Sequence, residues 1–252
     1  MKKITLLLLI MTLCLTVCLT ACSDGPSYEV KTSSDGVWSY HLNDDGTITL
    51  DSINSLSENM TVPATVDGLT VSAFGEKLFV IIDDGSNKKS DKGVYRENLV
   101  LKTVDIQAQI KELPPMTFYY CTKLENVTLP TSLESIGAFS FFNCVSLKTI
   151  IIPSKTNNIG EYAFRQCTSL STVIIDGERE EVPTIGDKAF YNLDENVPKD
   201  QQYYISDALN IFVEDISLYD ATRLNEKRIA TKEKTYKYWG EYVAKGSVKE
   251  SK

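Results

Sequence analysis

The stretch Leu147–Cys167, LKTIIIPSKTNNIGEYAFRQC, decides the fold of this chain. Its first part alternates in the manner of a short strand. Leu147, Ile150 and Ile152 are spaced to bury one side of that strand, while Ile151 points to the other side. We therefore predict a strand with one buried and one exposed side.

The second part of the stretch predicts a return arm. Pro153 ends the strand, and Gly160 permits a tight turn. The chain then comes back along a helical or irregular arm, and the ring of Phe164 fills the space between strand and arm. Together, strand and arm form one coil, which cannot bury its apolar side alone.

The same unit recurs with a period of 23 residues. Three ladders share this spacing: Leu101, Leu124, Leu147 and Leu170; Phe118, Phe141 and Phe164; Cys121, Cys144 and Cys167. A fixed period in this range is typical of leucine-rich repeats, whose stacked strands form a parallel sheet about 4.8 Å apart. We predict an α/β-type repeat solenoid, a short right-handed coil with a parallel β-sheet on one side and the cysteines as core filler.

The pattern L-x-x-V-x-I-P…I-G-x-x-A-F-x-x-C resembles the BspA-like type of leucine-rich repeat found in bacterial surface proteins. The resemblance extends to Met60–Val71, which looks like the segment that such domains carry before their first regular coil. It implies a cell-surface protein that mediates attachment to host components or to other bacteria.

Two units depart from the pattern. Leu113–Met116, LPPM, stands where Ile-Gly is expected, so we predict a differently bent arm in the first unit. The last unit is longer by three residues, and its extra charged segment, Asp176–Glu181, is expected on the surface. In that unit Leu193 occupies the cysteine position, which argues against metal or redox chemistry for the ladder.

Both ends of the solenoid are predicted to be capped. In front, two strands flank the turn Asn43–Gly46 and form a β-hairpin. Behind, Asn210–Val213 reads as a final strand and Leu218–Lys245 as a helix-rich cap. Three aromatic residues at helical spacing are predicted to plug the last coil: Tyr236, Trp239 and Tyr242.

The beginning of the chain predicts export. Two lysines precede the apolar run Ile4–Ala21, and Leu19–Cys22 resembles the lipobox of bacterial lipoproteins. We predict that Cys22 is lipidated and anchors the chain to the cell membrane or outer membrane, facing the cell exterior. The alternative is an uncleaved membrane-spanning helix.

Five segments follow from these patterns: residues 1–21, lipoprotein signal peptide; 22–35, tether; 36–100, N-terminal cap and leading segment with a charged loop; 101–204, the repeats; and 205–252, final strand and helical C-terminal cap. Within the third segment, residues 83–93 are charged and small. We interpret them as a solvated loop, because they lack the ligand spacing of a calcium loop.

Charge and cysteine content exclude several classes of protein. Loss of residues 1–21 would leave 24 Lys and Arg against 34 Asp and Glu, a net charge of −10, which argues against nucleic acid as a partner. The three cysteines of the folded part form no C-x-x-C pair, so we expect neither a disulfide framework nor a zinc site.

No catalytic motif is present. His41 is the single histidine, and we interpret it as a strand residue; phosphate-binding and nucleophile-elbow motifs are absent. We therefore expect no enzymatic activity, no cofactor and no metal. A hydrolase acting on surface glycans or peptides would need a pair of convergent carboxylates, which a sequence cannot exclude.

The exposed strand side is the candidate binding surface. Alternation predicts one outward row of Thr103, Asn126, Thr149 and Thr172 and a second of Asp105, Thr128, Ile151 and Ile174. The two isoleucines would form an apolar patch that marks an interaction site, unless they reflect strand propensity or are covered by the charged insertion. We predict recognition of a host or bacterial surface protein or glycan; the alternative is a scaffold that binds a protein of the same cell.

Overall fold

The computed structural model describes residues 28–83, 94–193, 198, 203–219 and 236–251. The predicted signal peptide, the predicted lipidation site Cys22 and residues 84–93 of the charged loop lie outside this part of the chain.

The N-terminal part forms a five-stranded sheet. Its strands are β1 (Lys31–Thr32), β2 (Trp38–Leu42), β3 (Ile48–Ile53), β5 (Thr65–Val66) and β6 (Leu69–Phe74), in the order β1-β2-β3-β6-β5. The predicted hairpin is present, since β2 and β3 pair antiparallel around a turn in which Gly46 has a φ of 81°. Lys31–Thr32 lies within the predicted tether, and the structure places it in this sheet.

The repeat strands stack in parallel. A three-stranded sheet contains β4 (Asn59–Val62), β9 (Thr103–Ile106) and β11 (Asn126–Thr128), with β9 in the middle. A four-stranded sheet follows, in the order β13 (Thr149–Ile152), β15 (Thr172–Ile175), β19 (Asn210–Val213) and β20 (Val248–Glu250). Strands β11 and β13 are neighbours, so the two sheets form one side of the molecule.

A second set of short strands runs along another side of the coils. These are β10 (Glu112–Leu113), β12 (Ser135–Ile136), β14 (Asn158–Ile159) and β16 (Thr184–Ile185), which form a parallel four-stranded sheet in that order. Two antiparallel pairs complete the strands: β7 (Ile81–Asp83) with β8 (Val94–Arg96), and β17 (Tyr191–Leu193) with β18 (Tyr203–Ile205).

The phenylalanine ladder lies at the centre of the solenoid. Five buried rings stack in sequence: Phe79, Phe118, Phe141, Phe164 and Phe190. Neighbouring ring centroids are 4.6, 5.1, 4.9 and 5.0 Å apart. The leucine ladder, Leu101 to Leu170, is buried beside it. The predicted continuous core is therefore present, and it extends one ring further at each end than the 23-residue ladder.

The return arms are irregular rather than helical. Three of them have two residues with positive φ four positions apart, such as Phe139 (57°) and Asn143 (61°), and the last has Lys188 (48°). In these three arms the amides of both residues donate to carbonyls of the next coil, Phe139 N to Glu161 O at 3.0 Å and Asn143 N to Arg165 O at 2.9 Å. The arms thus satisfy their backbone between coils instead of within a helix.

The first arm is not bent differently, so that expectation is wrong. Met116 and Tyr120 have φ values of 61° and 60°, the same pattern as the later arms. The amide of Met116 donates to Ala138 O, and that of Tyr120 donates to Phe142 O. These bonds between coils come from Met116 and Tyr120, so the prolines at positions 114 and 115 do not interrupt them.

Glycine begins each later arm, where the predicted turn is present, since Ala163 N donates to Gly160 O at 3.3 Å, and where the coils also approach closely. A Cβ on Gly160 would lie 2.5 Å from the backbone nitrogen of Ala138, and one on Gly137 would lie 2.6 Å from that of Pro115. Any side chain at these positions would push the backbones of neighbouring coils apart.

The cysteines form the expected buried ladder. Cys144 Sγ donates to Phe118 O at 3.2 Å, and Cys167 Sγ donates to Phe141 O at 3.1 Å. Burial raises the pKa of the Cys144 thiol well above its ordinary value. The ladder is therefore part of the core, as predicted.

The C-terminal part packs on the last coil. A 3₁₀ helix, Ile216–Tyr219, and helix α1, Tyr236–Lys245, precede β20, so Asn210–Val213 is not the final strand. Trp239 and Tyr242 are buried as predicted, and Tyr242 meets Phe190 edge to face at 5.5 Å. Within the described ranges, no helix has the length and apolarity needed to cross a membrane.

Candidate binding surface on the repeat strands

The exposed strand side carries two rows of aligned side chains. The polar row consists of Asn59, Thr103, Asn126, Thr149, Thr172 and Asn210, and the mixed row consists of Thr61, Asp105, Thr128, Ile151, Ile174, Phe212 and Lys249. Within each of the two sheets, register places the members of each row opposite one another on neighbouring strands. The residues between the rows, such as Ile150 and Val173, are buried. The predicted alternation is therefore present in the structure.

The mixed row contains an apolar patch at its C-terminal half. Ile151 lies opposite Ile174, which lies opposite Phe212. Ile151 is 52% exposed, and the other two side chains are partly exposed. Large aliphatic side chains with this exposure on a sheet are a mark of interaction surfaces.

Phe212, Asn210 and Lys249 were missed by the sequence-based rows. A signal for the first two was present, because Asn210-Ile-Phe-Val213 alternates like Thr172-Val-Ile-Ile175. Nothing in the repeat period indicated Lys249, since β20 follows a helix and has no counterpart among the regular coils.

The charged insertion does not cover the patch. Arg179 turns it towards the loops that follow the strands, where Nη1 donates to Thr156 O at 2.9 Å and Nη2 to Pro153 O at 3.3 Å. Gly177 lies against Ser154, close enough for an added Cβ to come within 2.6 Å of the serine Cβ. The insertion is thus fixed beside the strand ends, and Ile151 remains open to solvent.

A groove adjoins the apolar patch. It has a volume of about 480 Å³ and is lined by Ile174, Phe212, Lys249, Glu250 and Ser251. The ammonium group of Lys249 donates to Asn210 Oδ1, which connects the end of the mixed row to the end of the polar row. This groove has a size that is ordinary for a small-ligand site.

A second cavity lies at the carboxyl ends of β15, β19 and β20. It has a volume of about 430 Å³. Four carboxylates line it, from Glu178, Glu214, Asp215 and Glu250, together with Arg179 and Tyr219. The four acidic side chains are exposed, and none of them lies in the buried apolar setting that the general acid of a glycosidase occupies.

His41 lies in β2, as predicted, within a small polar cluster. Its Nδ1 is 2.8 Å from Asp51 Oδ1, and its ring stacks on that of Tyr28 at 3.6 Å. Desolvation, with the nearby Asp51 carboxylate, raises the pKa of Tyr28. The cluster packs Tyr28 against the sheet. Across the described residues, no group of three or more His, Cys, Asp or Glu side chains could hold a metal ion.

The repeat strands are parallel, the Leu and Phe ladders are aligned, and the return arms are irregular. Together, these features define a leucine-rich repeat protein. Consistent with this class, the family model for the BspA type leucine rich repeat region matches residues 88–199, in six copies. No curated protein matches the chain.

One solved structure supports the same fold, and two others are similar over part of the chain. A leucine-rich repeat protein from T. pallidum is 21% identical over 72% of this chain and 71% of that chain, with a TM-score of 0.50. The pneumococcal vaccine antigen PcpA is 19% identical, covering 81% of this chain and 46% of that one, with a TM-score of 0.48. A leucine-rich repeat protein from Bacteroides ovatus is 18% identical, covering 78% and 56%, with a TM-score of 0.38.

Proposed function

We propose that this protein is an exported, lipid-anchored binding protein that recognises a surface protein or glycan through the exposed side of its repeat strands. The observation that carries the proposal is the apolar patch of Ile151, Ile174 and Phe212, which faces solvent where strands usually carry polar residues. The BspA-type repeats over residues 88–199 support a role at the cell surface.

The patch gives a direct test. The chain from residue 23, which contains every described residue, is screened against host matrix proteins, surface glycans and a lysate of the producing cell. An Ile151→Asp variant should lose at least about tenfold in affinity, because it places a charge in the contact. Leu42→Asp is the matched control, since Leu42 is 45% exposed but lies at the opposite end of the molecule, in β2.

The outcomes separate the two kinds of partner. A host ligand weakened by Ile151→Asp and unaffected by Leu42→Asp supports adhesion. An identified envelope protein with the same dependence supports the scaffold alternative. Binding that ignores Ile151→Asp would contradict recognition through the strand side, and turnover of a glycan or peptide would contradict a binding-only role.

Anchoring at Cys22 is a separate part of the proposal. Two acyl chains are sufficient to hold a protein stably on a membrane. A clickable fatty-acid analogue fed to producing cells should label the full chain and should fail to label a Cys22→Ser variant. Label on the variant would contradict this site. If the lysines and apolar run act as export signal, the anchored protein should also be accessible to protease added outside the cell.

A further inference from the structure

The polar row is free of charge along its whole length. Its six members are three asparagines and three threonines on six strands: Asn59, Thr103, Asn126, Thr149, Thr172 and Asn210. Hydroxyl and amide side chains each donate and accept hydrogen bonds. This row therefore suits a partner whose own polar groups both donate and accept.

Much of this hydrogen-bonding capacity is unused. At one end Thr103 Oγ1 donates to Asn59 Oδ1 at 2.7 Å. At the other end the side chain of Asn210 donates to Ser171 O and Ala208 O and accepts from Lys249. Between them, the hydroxyls of Thr149 and Thr172 make no hydrogen bond to any other described residue. Asparagine is also depleted in strands, so propensity does not explain its presence at three of six positions.

The groove beside the row is apolar at its base and balanced in charge. Ile174 and Phe212 supply the apolar surface, while Lys249 and Glu250 carry opposite charges. The lysine ammonium already donates to Asn210. A strongly acidic ligand would meet one engaged cation here and would be repelled by Glu250 and, further along the mixed row, by Asp105.

A protein partner fits these rows less well than a glycan. The hot spots of protein interfaces are enriched in Tyr, Trp and Arg, and neither row contains any of the three; Phe212 is the single aromatic side chain in the rows. A pyranose ring instead has apolar C–H faces that pack on an aromatic ring and hydroxyl groups around its edge. Strands about 4.8 Å apart repeat the polar side chains at an interval close to the length of one sugar unit.

We propose that the strand side binds a neutral, linear glycan, with one pyranose ring in the groove against Phe212 and Ile174 and the chain continuing over the polar row. This inference rests on the proposed function and names the partner class for the same surface. Thr149 and Thr172 lie next to the groove strands in register and hydrogen-bond the sugar hydroxyls.

The test uses defined oligosaccharides and the chain from residue 23. The neutral probes are cellohexaose, maltohexaose, laminarihexaose and mannohexaose, and the acidic probe is hexagalacturonate; affinities are measured by calorimetry. At least one neutral probe should bind saturably and more tightly than hexagalacturonate. Phe212→Ala should weaken that binding by at least about tenfold. The double variant Thr149→Val with Thr172→Val, which keeps side-chain shape, should weaken it by about tenfold as well.

Controls keep the result interpretable. Thr65→Val removes an exposed strand hydroxyl in the N-terminal sheet and should leave glycan affinity unchanged. Unfolding midpoints of all variants confirm that they fold. The inference is overturned if no neutral probe binds, if the acidic probe binds more tightly, or if folded Phe212→Ala and Thr149→Val/Thr172→Val bind normally. A protein ligand lost in Ile151→Asp, with no neutral glycan bound, overturns the glycan partner but leaves the proposed function standing.

Discussion

The rings of Phe164 and Phe190 stack with centroids 5.0 Å apart and planes 8° apart, although 26 residues separate them in a ladder whose regular step is 23. The three additional residues are accommodated outside the core, where Arg179 attaches the insertion to Pro153 and Thr156. The stacking of the core rings is therefore kept even where a coil is three residues longer than the others.

The ladder should dominate stability. Phe141→Ala removes a fully buried ring that stacks on Phe118 and Phe164, so we expect a loss of about 3–5 kcal/mol in the free energy of unfolding. Urea denaturation measures it. Phe139→Ala, a partly exposed ring on the same arm, is the control and should cost clearly less. Equal losses in the two variants would contradict a core made by the inner ring.

Close approach of the coils should make Gly160 sensitive to a single methyl group. Gly160→Ala places a Cβ 2.5 Å from Ala138 N, and we expect a loss of about 1–3 kcal/mol. Gly75→Ala is the comparison, because its Cβ would meet Asp51 Cα at 3.3 Å. Thermal unfolding of both variants decides the point, and a Gly160→Ala protein as stable as Gly75→Ala would be unexpected.

Helix α1 should stabilise the last coil through Tyr242. The amide of Phe190 donates to Tyr242 Oη at 3.0 Å in a buried setting, so Tyr242→Phe leaves that amide unpaired. We expect a loss of about 1–3 kcal/mol in urea unfolding. Tyr191→Phe, whose hydroxyl donates to Glu241 at a partly exposed position, should cost less. No loss in Tyr242→Phe would argue against a capping role of this contact.

Acid should weaken the N-terminal sheet through Asp67. Hydrogen bonds from Ser34, and secondarily from Tyr40, hold the pKa of Asp67 below its usual range. A folded pKa below the unfolded one gives stability that is present above the unfolded value, about 3.9, and is lost as pH falls through the folded value. The difference in stability between wild type and Asp67→Asn should therefore be larger at pH 6 than at pH 3.

Two serine variants complete this prediction. Ser34→Ala removes one donor to Asp67 and should reproduce part of the change in pH dependence. Ser39, in the same sheet, donates a hydrogen bond to Asn54 and not to Asp67. Ser39→Ala should therefore leave the pH dependence as in wild type. The assignment to Asp67 fails if all three variants follow the wild-type pH profile.

The cysteine ladder should resist alkylation until the protein unfolds. Cys121, Cys144 and Cys167 are buried, so the reagent cannot reach them, and burial also raises the pKa of the Cys121 and Cys144 thiols. Iodoacetamide at pH 8 should modify none of the three in the folded chain from residue 23, as judged by mass spectrometry. Full modification should follow urea unfolding. Rapid modification of the folded protein would show that the ladder opens.

The 23-residue period and the alternation of side chains along each strand were sufficient to predict the regular coils. They also predicted the two outward rows as far as Thr172 and Ile174. They could not place β20, because a strand outside the period that follows a helix joins the sheet only through tertiary contacts. The close approach at Gly160 was missed for a similar reason. The sequence predicted the turn at this glycine, but only the position of Ala138 in the neighbouring coil shows that the coils also meet there.

The bonds from each arm to the next, such as Phe141 N to Ala163 O, join only adjacent coils. A coil can thus be removed or duplicated as a unit without altering the contacts within the others. Deleting residues 124–146 would bring Lys123 directly before Leu147 in the same repeat phase. The length of the exposed strand surface can therefore change during evolution by one strand at a time. Each strand contributes one side chain to the polar row and one to the mixed row, and this pair sets the chemistry of the surface at that strand.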